Sequence, residues 1–292
     1  MKQIVTAVSV LLAATLANAQ DAPLRFKSTE IVPGIYMLEG DGGFAGGNIG
    51  LLVGDERIVL VDDGLEQFAP ALIDAATEVA GRPVDFVINT HLHADHVGGN
   101  GALSAEGATI VAHDNIRSRL VADAEFGAAG LPLVTFSDAV TFHVNDHEAF
   151  IFHIEAAHTD GDAVIHYRNV NVIHAGDIMF NHLFPFIDLV NGGTVDGYIA
   201  GQQKILTMAD DETIIIPGHG PVATKADLER DLDVLIDCKE RVKALVDQGR
   251  SESEVYAANP LGVYHEGWNW EFITTEHMTQ TLYRDLTSEK PQ

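Results

Sequence analysis

His91-Leu92-His93-Ala94-Asp95-His96 brings three imidazoles and one carboxylate together within six residues. This stretch directly follows the apolar, β-branched run 84–89, which predicts a buried strand. The Gly98-Gly99 pair just beyond it allows the backbone to turn tightly. Imidazole and carboxylate groups suit Zn, Fe or Mn, and two His residues one position apart converge on one ion if the chain bends. The stretch therefore favours a metal site over a His-rich surface loop, with Asp95 and His96 directed toward a second ion.

Three further places in the chain repeat this pattern of an apolar strand, a nearby glycine and one ligand-type side chain. His158 follows the apolar run that ends at Ile154, Asp177 follows Gly176 at the end of another, and His219 stands in Pro217-Gly218-His219-Gly220. Each alone is a weak signal. Together with the first cluster they give five His and two Asp, a complete ligand set for two ions.

Taken together, these motifs resemble those of the metallo-β-lactamase superfamily, whose HxHxDH signature is matched by residues 91–96. The match continues in order through His158, Gly176-Asp177 and the Pro-Gly-His-Gly segment, and it covers roughly residues 32–222. The resemblance implies an α/β fold, an αββα four-layer sandwich of two mixed β-sheets flanked by helices. It also implies a role for each ligand: His91, His93 and His158 on the first metal; Asp95, His96 and His219 on the second; Asp177 bridging both.

Three positions refine this resemblance. Asp177 stands where many β-lactamases of the superfamily carry cysteine, which is more similar to glyoxalase II and the broad hydrolase branch. Asp63 matches a position that supports the ligand loop, although a plain turn residue is the alternative. His182 follows the bridging aspartate in a loop that could face substrate, and we expect it to make a catalytic or polar contact there. The histidines inside strand patterns (His143, His153, His166 and His174) are predicted to be structural.

The N-terminus has the features of a secretory signal peptide spanning residues 1–19. Lys2 supplies a basic start, residues 4–16 form an apolar run, and Ala17-Asn18-Ala19 is a small-x-small cleavage site. The apolar run is too short to span a bilayer, and no later stretch is long enough. We expect a secreted or periplasmic protein without a membrane span, with residues 20–292 forming a single metallo-β-lactamase-like domain that carries a C-terminal helical extension.

The charge balance argues against nucleic acid as a partner. The chain of 292 residues carries 43 acidic and 17 basic residues, a formal net charge of −26. A field of that sign repels phosphate backbones and anionic membranes. Cys238 is the only cysteine, so an exported form has no internal disulfide, and its helical, apolar context predicts a buried thiol rather than a ligand.

The remaining pattern predicts strands alternating with helices, which favours sheets sandwiched between helices. A flexible link, residues 40–47, joins the first two strands and carries Phe44 near its tip. It is either a flap that lays Phe44 over a substrate or a mobile surface hairpin. The predicted strands are 35–39, 48–53, 57–61, 84–89, 109–112, 139–144, 148–154, 163–167, 171–175 and 212–216, and the predicted helices are 70–80, 113–123, 194–208, 225–246 and 271–286.

The expected function is that of a dinuclear metal hydrolase, with two Zn²⁺ as the first choice and Fe or Mn as alternatives. A metal-bound hydroxide would attack the carbonyl of a lactam, lactone or ester in a small-molecule substrate, and Asp95 would carry the released proton. The loop 178–193 contains no Lys or Arg, which favours a neutral substrate over the anionic β-lactams. The alternatives are a β-lactamase, a glyoxalase II-like thioesterase, a quorum-quenching lactonase and a non-catalytic metal-binding module on the same scaffold. The sequence leaves the substrate, the metal and the oligomeric state open.

Overall fold

Two β-sheets form the centre of the protein in a computed structural model that describes residues 24–288. The predicted signal segment lies outside these residues. The first sheet has seven strands in the order β1 to β7, and the second has six in the order β13-β12-β11-β10-β9-β8. The strands are β1 (Arg25–Val32), β2 (Ile35–Asp41), β3 (Ile49–Leu52), β4 (Val59–Val61), β5 (Phe86–Ile88), β6 (Thr109–His113), β7 (Val134–Phe136), β8 (Ala139–Val144), β9 (His147–His153), β10 (Ala163–Tyr167), β11 (Val172–Phe180), β12 (Ile214–His219) and β13 (Ala223–Thr224).

Both sheets are mixed, as expected. In the first sheet β1 to β4 pair antiparallel and β4 to β7 pair parallel, with Val61 opposite Ile88. In the second sheet β11 pairs parallel with β12, while the other pairs are antiparallel. The carboxyl ends of parallel neighbours lie at the same edge of a sheet, so residues just beyond β4 and β5 are brought together.

Helices begin and end where the sequence provides caps. Pro70 lies in the first turn of α1, and Gly81 ends it with a φ of 72°. The Thr224 side chain and Asp227 form a reciprocal capping box at the start of α6. The helices are α1 (Ala69–Ala80), α2 (Ala94–Val97), α3 (Asn100–Ala105), α4 (Asp114–Ala122), α5 (Val195–Leu206), α6 (Lys225–Val246), α7 (Glu252–Ala258), α8 (His265–Trp268) and α9 (Thr275–Thr287). Short 3₁₀ turns occupy Glu66–Phe68, Ala128–Gly130 and Gly262–Tyr264.

Three apolar layers hold the sandwich together. Alternation along β4 sends Val59 and Val61 into the core between the two sheets and Leu60 into the core beneath α1. The second sheet alternates in the same way, with Val172 facing the other sheet and Ile173 facing the helices α5, α6 and α9. The expected αββα sandwich is confirmed.

The structure differs from the sequence prediction mainly at element ends. The strand predicted over 171–175 continues to Phe180, because pairing with β12 extends through Gly176 opposite Pro217 and Phe180 opposite His219. The helix predicted from residue 271 begins only at Thr275, because the Thr274 side chain accepts a hydrogen bond from the His277 backbone. Strands β1, β7 and β13 and helices α2, α3, α7 and α8 were not predicted. No helix among residues 24–288 has the length and apolar character needed to cross a membrane.

Candidate metal centre

Strand ends of both sheets deliver the predicted ligands to one place. Residues 91–96 follow β5 of the first sheet, and the last three of them form the start of α2. The second sheet supplies His158 from the loop between β9 and β10, Asp177 from β11 and His219 from the end of β12. The centre therefore lies at the edge where the two sheets meet.

One group comprises His91, His93, His158 and Asp177, whose ligand-type atoms all lie within 4.8 Å of one another. His158 Nε2 is 2.9 Å from His93 Nδ1. Asp177 Oδ2 is 3.4 Å from His158 Nε2 and 3.7 Å from His91 Nε2. Three imidazole nitrogens and a carboxylate oxygen thus face a common point, which is the donor set that Zn²⁺ prefers.

The second group comprises Asp95, His96 and His219, again with ligand-type atoms within 4.8 Å. Asp95 Oδ2 is 3.4 Å from His219 Nε2 and 3.6 Å from His96 Nε2. Asp177 touches this group as well, with Oδ1 at 3.2 Å from His96 Nε2 and Oδ2 at 3.5 Å from His219 Nε2. Asp177 therefore lies between the two groups, where a bridging ligand would have to be.

The donor atoms themselves fit a bound cation. His91 Nε2, His96 Nε2 and Asp177 Oδ1 are buried and have no hydrogen-bond partner among the described residues. Leaving a buried polar atom unsatisfied costs about 1–3 kcal/mol, so three in one cluster need a reason. A cation held between them would satisfy all three.

The electrostatics of the first group favours the protonation states in which these residues bind metal. Burial lowers the pKa of His91 well below its usual value and that of His158 to about 4, so both rings are neutral. Burial by itself raises the pKa of Asp177, but the surrounding imidazoles, His96 foremost, outweigh burial and lower that pKa well below the usual range. Neutral imidazole and ionised carboxylate are the ligating forms.

The second group has an excess of negative charge. Burial alone lowers the pKa of His96, but Asp177, Asp95 and Asp62 outweigh burial and raise that pKa well above its usual value. The pKa of His219 is raised to about 9 because Asp177 and Asp95 outweigh burial. The carboxylates here require a positive charge, which either a proton or a metal ion supplies.

Hydrogen bonds to the other ring nitrogens orient four of the five histidines. Such contacts fix both the ring orientation and the tautomer of a metal ligand. Only His93 is bonded through Nε2, so it alone of the four turns Nδ1 toward the centre. The bonds are His91 Nδ1 to Thr90 Oγ1 at 3.0 Å, His96 Nδ1 to Asp62 Oδ2 at 2.8 Å, His158 Nδ1 to the Phe186 carbonyl at 2.6 Å and His93 Nε2 to Asp188 Oδ2 at 2.9 Å.

Asp62 contacts a ligand histidine directly, a contact that was not predicted alongside the supporting role of Asp63. Asp62 is fully buried and accepts hydrogen bonds from the Thr90 backbone N–H and Thr90 Oγ1, each at 2.7 Å, as well as from His96. Asp63 instead accepts the Gly99 backbone N–H at 2.8 Å. Asp63 therefore supports the backbone of the ligand loop, while Asp62 orients a ligand. Sequence reasoning missed Asp62, although its place directly after a buried strand gave the signal.

Asp188 is a second residue whose role the sequence did not reveal. Its side chain accepts the backbone N–H groups of Val190 and Asn191, each at 3.0 Å, and the Asn191 side-chain amide at 2.7 Å. These bonds hold the carboxylate against His93. The Asp-x-x-Asn spacing signals a local turn, but nothing in it points to a distant histidine.

The glycine-rich loop approaches the centre closely at its base. A Cβ on Gly47 would lie 2.3 Å from His96 Cε1, so no other residue fits there without displacing a ligand. At the tip, Phe44 is 59% exposed and stacks on His219 with ring centroids 5.9 Å apart and an interplanar angle of 20°. Phe44 thus lies over the second group of ligands.

A cavity of about 820 Å³ opens above the ligands. Aromatic and aliphatic side chains form most of its wall. Among the residues that line it, all within 24–288, none is Lys or Arg, and Glu271 is the only charged residue outside the ligand set. The lining residues are Phe44, Leu65, His93, Ala94, Asp95, Asp177, Phe180, Phe186, His219, Trp270, Glu271 and Phe272.

His182 does not line this cavity, so the expected substrate contact is not supported by its position. Its ring stacks on Trp268 with centroids 5.0 Å apart, and its backbone N–H donates to Asp231 Oδ2 at 3.2 Å. The reason is that β11 runs on to Phe180, which places the turn at His182 beyond the ligand edge. His174 is fully buried within β11, in keeping with a structural role.

Comparison with known proteins agrees with this architecture. The chain matches the family model described as Metallo-beta-lactamase superfamily over residues 42–219. A hydroxyacylglutathione hydrolase from Polaromonas sp. is 28% identical over 151 residues, 50% of this chain and 52% of that relative, so the chain spans about half the relative's length. A type 2 metallo-beta-lactamase from Bacillus sp. is 25% identical over 180 residues, 61% of this chain and 68% of the relative.

A solved structure shows the same fold. The metallo-beta-lactamase from Pontibacter korlensis superposes with a TM-score of 0.65 at 19% identity, covering 73% of this chain and 100% of that one. The two ligand groups found in the structure lie in or beside the matched segment 42–219. The protein therefore belongs to the metallo-β-lactamase superfamily.

Proposed function

We propose that the protein is a dinuclear metal hydrolase that cleaves an ester, lactone or lactam without negative charge. The observation that carries this proposal is the ligand cluster at the floor of a cavity whose wall is almost entirely apolar. The ligand set suits two Zn²⁺, and Fe or Mn fits the bridging carboxylate as well. The predicted signal peptide adds that the enzyme is exported to the periplasm or beyond.

Each part of the site has a task in this reaction. Bound at the two positions, divalent cations supply an ionised water nucleophile at neutral pH and a Lewis acid for the substrate carbonyl. Asp177 holds the two positions at a fixed separation. Asp95 lines the cavity beside His219, where its carboxylate can accept the proton that the nucleophile releases and pass it to the leaving group. The aromatic wall excludes bulk water from the reacting atoms.

The wall also bears on the choice of substrate. A β-lactam carries a carboxylate, and a glutathione thioester is anionic as well. No Lys or Arg lines the described cavity to meet either group, and Glu271 adds a like charge. The similarity to a hydroxyacylglutathione hydrolase and to a type 2 metallo-beta-lactamase keeps thioesters and lactams as second candidates. A neutral ester or lactone fits the cavity better than either.

Metal analysis combined with a substrate panel tests the proposal. The purified protein should contain about two metal equivalents per chain, as the two ligand groups imply. Among uncharged esters and lactones, nitrocefin and a glutathione thioester, the uncharged substrates should give the highest kcat/KM. A chelator should abolish that activity and added Zn²⁺ should restore it. Rapid nitrocefin turnover with none on esters would instead assign the β-lactamase branch.

Two further outcomes would change the assignment. A fully metal-loaded protein without activity on any of the four substrate classes would favour a non-catalytic metal-binding module. Export is tested separately by N-terminal sequencing of protein from the extracellular or periplasmic fraction. Cleavage after Ala19 would give Gln20 as the first residue, and an intact Met1 would contradict export by this route.

A further inference from the structure

The outer wall of the cavity carries aromatic rings that are exposed or only partly buried. Phe272 is 56% exposed, and its ring lies 5.7 Å from Trp270 and 5.4 Å from Phe186. The Trp270 indole N–H donates to the Phe184 carbonyl at 3.0 Å, which fixes the ring edge. Together with Phe44, which also lines the cavity, these rings form its mouth above the ligands.

Glu271 stands between two of these rings in sequence, is exposed, and lines the same cavity. The face of an aromatic ring carries negative electrostatic potential and attracts cations, Trp most strongly. A carboxylate beside such faces adds to the attraction. The mouth therefore combines the two features that bind an ammonium group, and no Lys or Arg of the described chain lines it.

A neighbouring cavity does not offset the negative charge of Glu271 at the mouth of the first cavity. A second cavity of about 750 Å³ shares Leu65, His93 and Ala94 with the first, and its only basic residue is Arg119. Both arms of the Arg119 guanidinium are engaged by Asp160, with Nε at 2.7 Å from Oδ1 and Nη2 at 2.6 Å from Oδ2. The other charged residues that line this second cavity are the acids Glu66, Asp123 and Glu125. The net charge of −26 adds to this negative field.

We propose that Trp270, Glu271 and Phe272 recognise a positively charged ammonium group on the non-reacting part of the substrate. The substrate is then an ester or lactone that carries a quaternary or protonated amine, bound at the mouth of the cavity with its carbonyl at the metal centre. This inference rests on the proposed hydrolase function and names its substrate class.

A matched pair of esters tests the proposal. Acetylcholine and 3,3-dimethylbutyl acetate have nearly the same shape and differ in one positive charge. With the zinc-loaded protein, kcat/KM for acetylcholine should be about tenfold higher, the size of one cation–π contact plus one exposed ion pair. The ratio should fall toward one as salt rises from 0.02 to 0.5 M, since salt screens the surface charges.

Substitutions test whether the preference for acetylcholine arises at the mouth of the cavity. Glu271→Gln should lower the ratio of the acetylcholine kcat/KM to the neutral-ester kcat/KM about threefold, and Trp270→Leu should lower this ratio further. Glu266→Gln is the matched control, because Glu266 is also exposed but does not line this cavity. Equal kcat/KM for the two esters, or an unchanged ratio in Glu271→Gln, would overturn the inference while the hydrolase function stands.

A binding measurement separates the inference from the hydrolase proposal. Calorimetry with choline and with 3,3-dimethylbutanol reports recognition of the charged group without any turnover. If neither ester is hydrolysed but choline still binds more tightly than the alcohol, the cation site stands and the hydrolase proposal fails. If choline does not bind more tightly, the cation site is refuted.

Discussion

Exchanging Asp62 for asparagine isolates one contact behind the metal centre. The substitution keeps the size of the side chain and keeps Oδ1 as the acceptor for the Thr90 backbone N–H. It replaces Oδ2 with an amide N–H₂ that faces His96 Nδ1, 2.8 Å away. His96 must then accept at Nδ1 and carry its hydrogen on Nε2, the atom directed toward the second ligand group. The preferred tautomer of the variant cannot bind metal.

The cost can be estimated from comparable contacts behind metal ligands. Their removal lowers metal affinity about 10–100-fold, or ~1.4–2.7 kcal/mol. The assay is competition for Zn²⁺ between the protein and a chromophoric chelator, with the metal content per chain measured at the end. We expect Asp62→Asn to lose one of its two Zn²⁺ equivalents to the chelator before it loses the other.

The adjacent carboxyl provides the control. Burial raises the pKa of Asp63 well above its usual value, and its side chain accepts the Gly99 backbone N–H rather than a ligand histidine. Asp63→Asn keeps the oxygen that accepts the Gly99 N–H, and zinc affinity should stay within about twofold of the parent, since no hydrogen bond to a ligand histidine is removed. Equal zinc affinity for the parent and both variants would refute the tautomer argument. A larger loss in Asp63→Asn than in Asp62→Asn would refute it as well.

The other predictions concern single side chains. Asp177→Ala should lower both metal content and turnover, and normal activity with a full metal load would exclude its bridging role. Asp188→Ala removes the partner of His93 and should weaken metal binding about 10–100-fold by the same competition assay; an unchanged affinity would show that His93 is oriented by other contacts. Phe44→Ala should raise KM if the loop is a flap, whereas an unchanged KM across all substrates would leave it as a surface hairpin. Burial raises the pKa of the Cys238 thiol to about 12, so a thiol reagent at pH 8 should label it only after unfolding; rapid labelling of the native protein would contradict its burial.

The sequence predicted the ligand cluster well because each ligand follows a short local pattern. An apolar strand with glycine at its end can be recognised within about ten residues, and His158, Asp177 and His219 each carried that signal. The resemblance to the superfamily then predicted the pairing of the two sheets, which no local pattern specifies.

Contacts between distant segments were not predictable in this way. Asp188 and His93 are 95 residues apart, and their hydrogen bond depends on how the loop after β11 folds back. Phe272 was assigned to the predicted helix 271–286, whereas the cap at Thr274 leaves it in a loop against the cavity beside Trp270. The expectation for His182 came from its sequence proximity to Asp177, whereas its ring stacks on Trp268 and does not line the cavity.

The glycine-rich loop divides into two parts that differ in their tolerance of mutation. Gly47 at its base packs against the His96 ring, and a side chain there would collide with it. Phe44 at its tip is mostly exposed and meets the site through the His219 ring. Substitutions at the tip can therefore alter substrate fit without moving the backbone beside His96, whereas a substitution at the base displaces that ring.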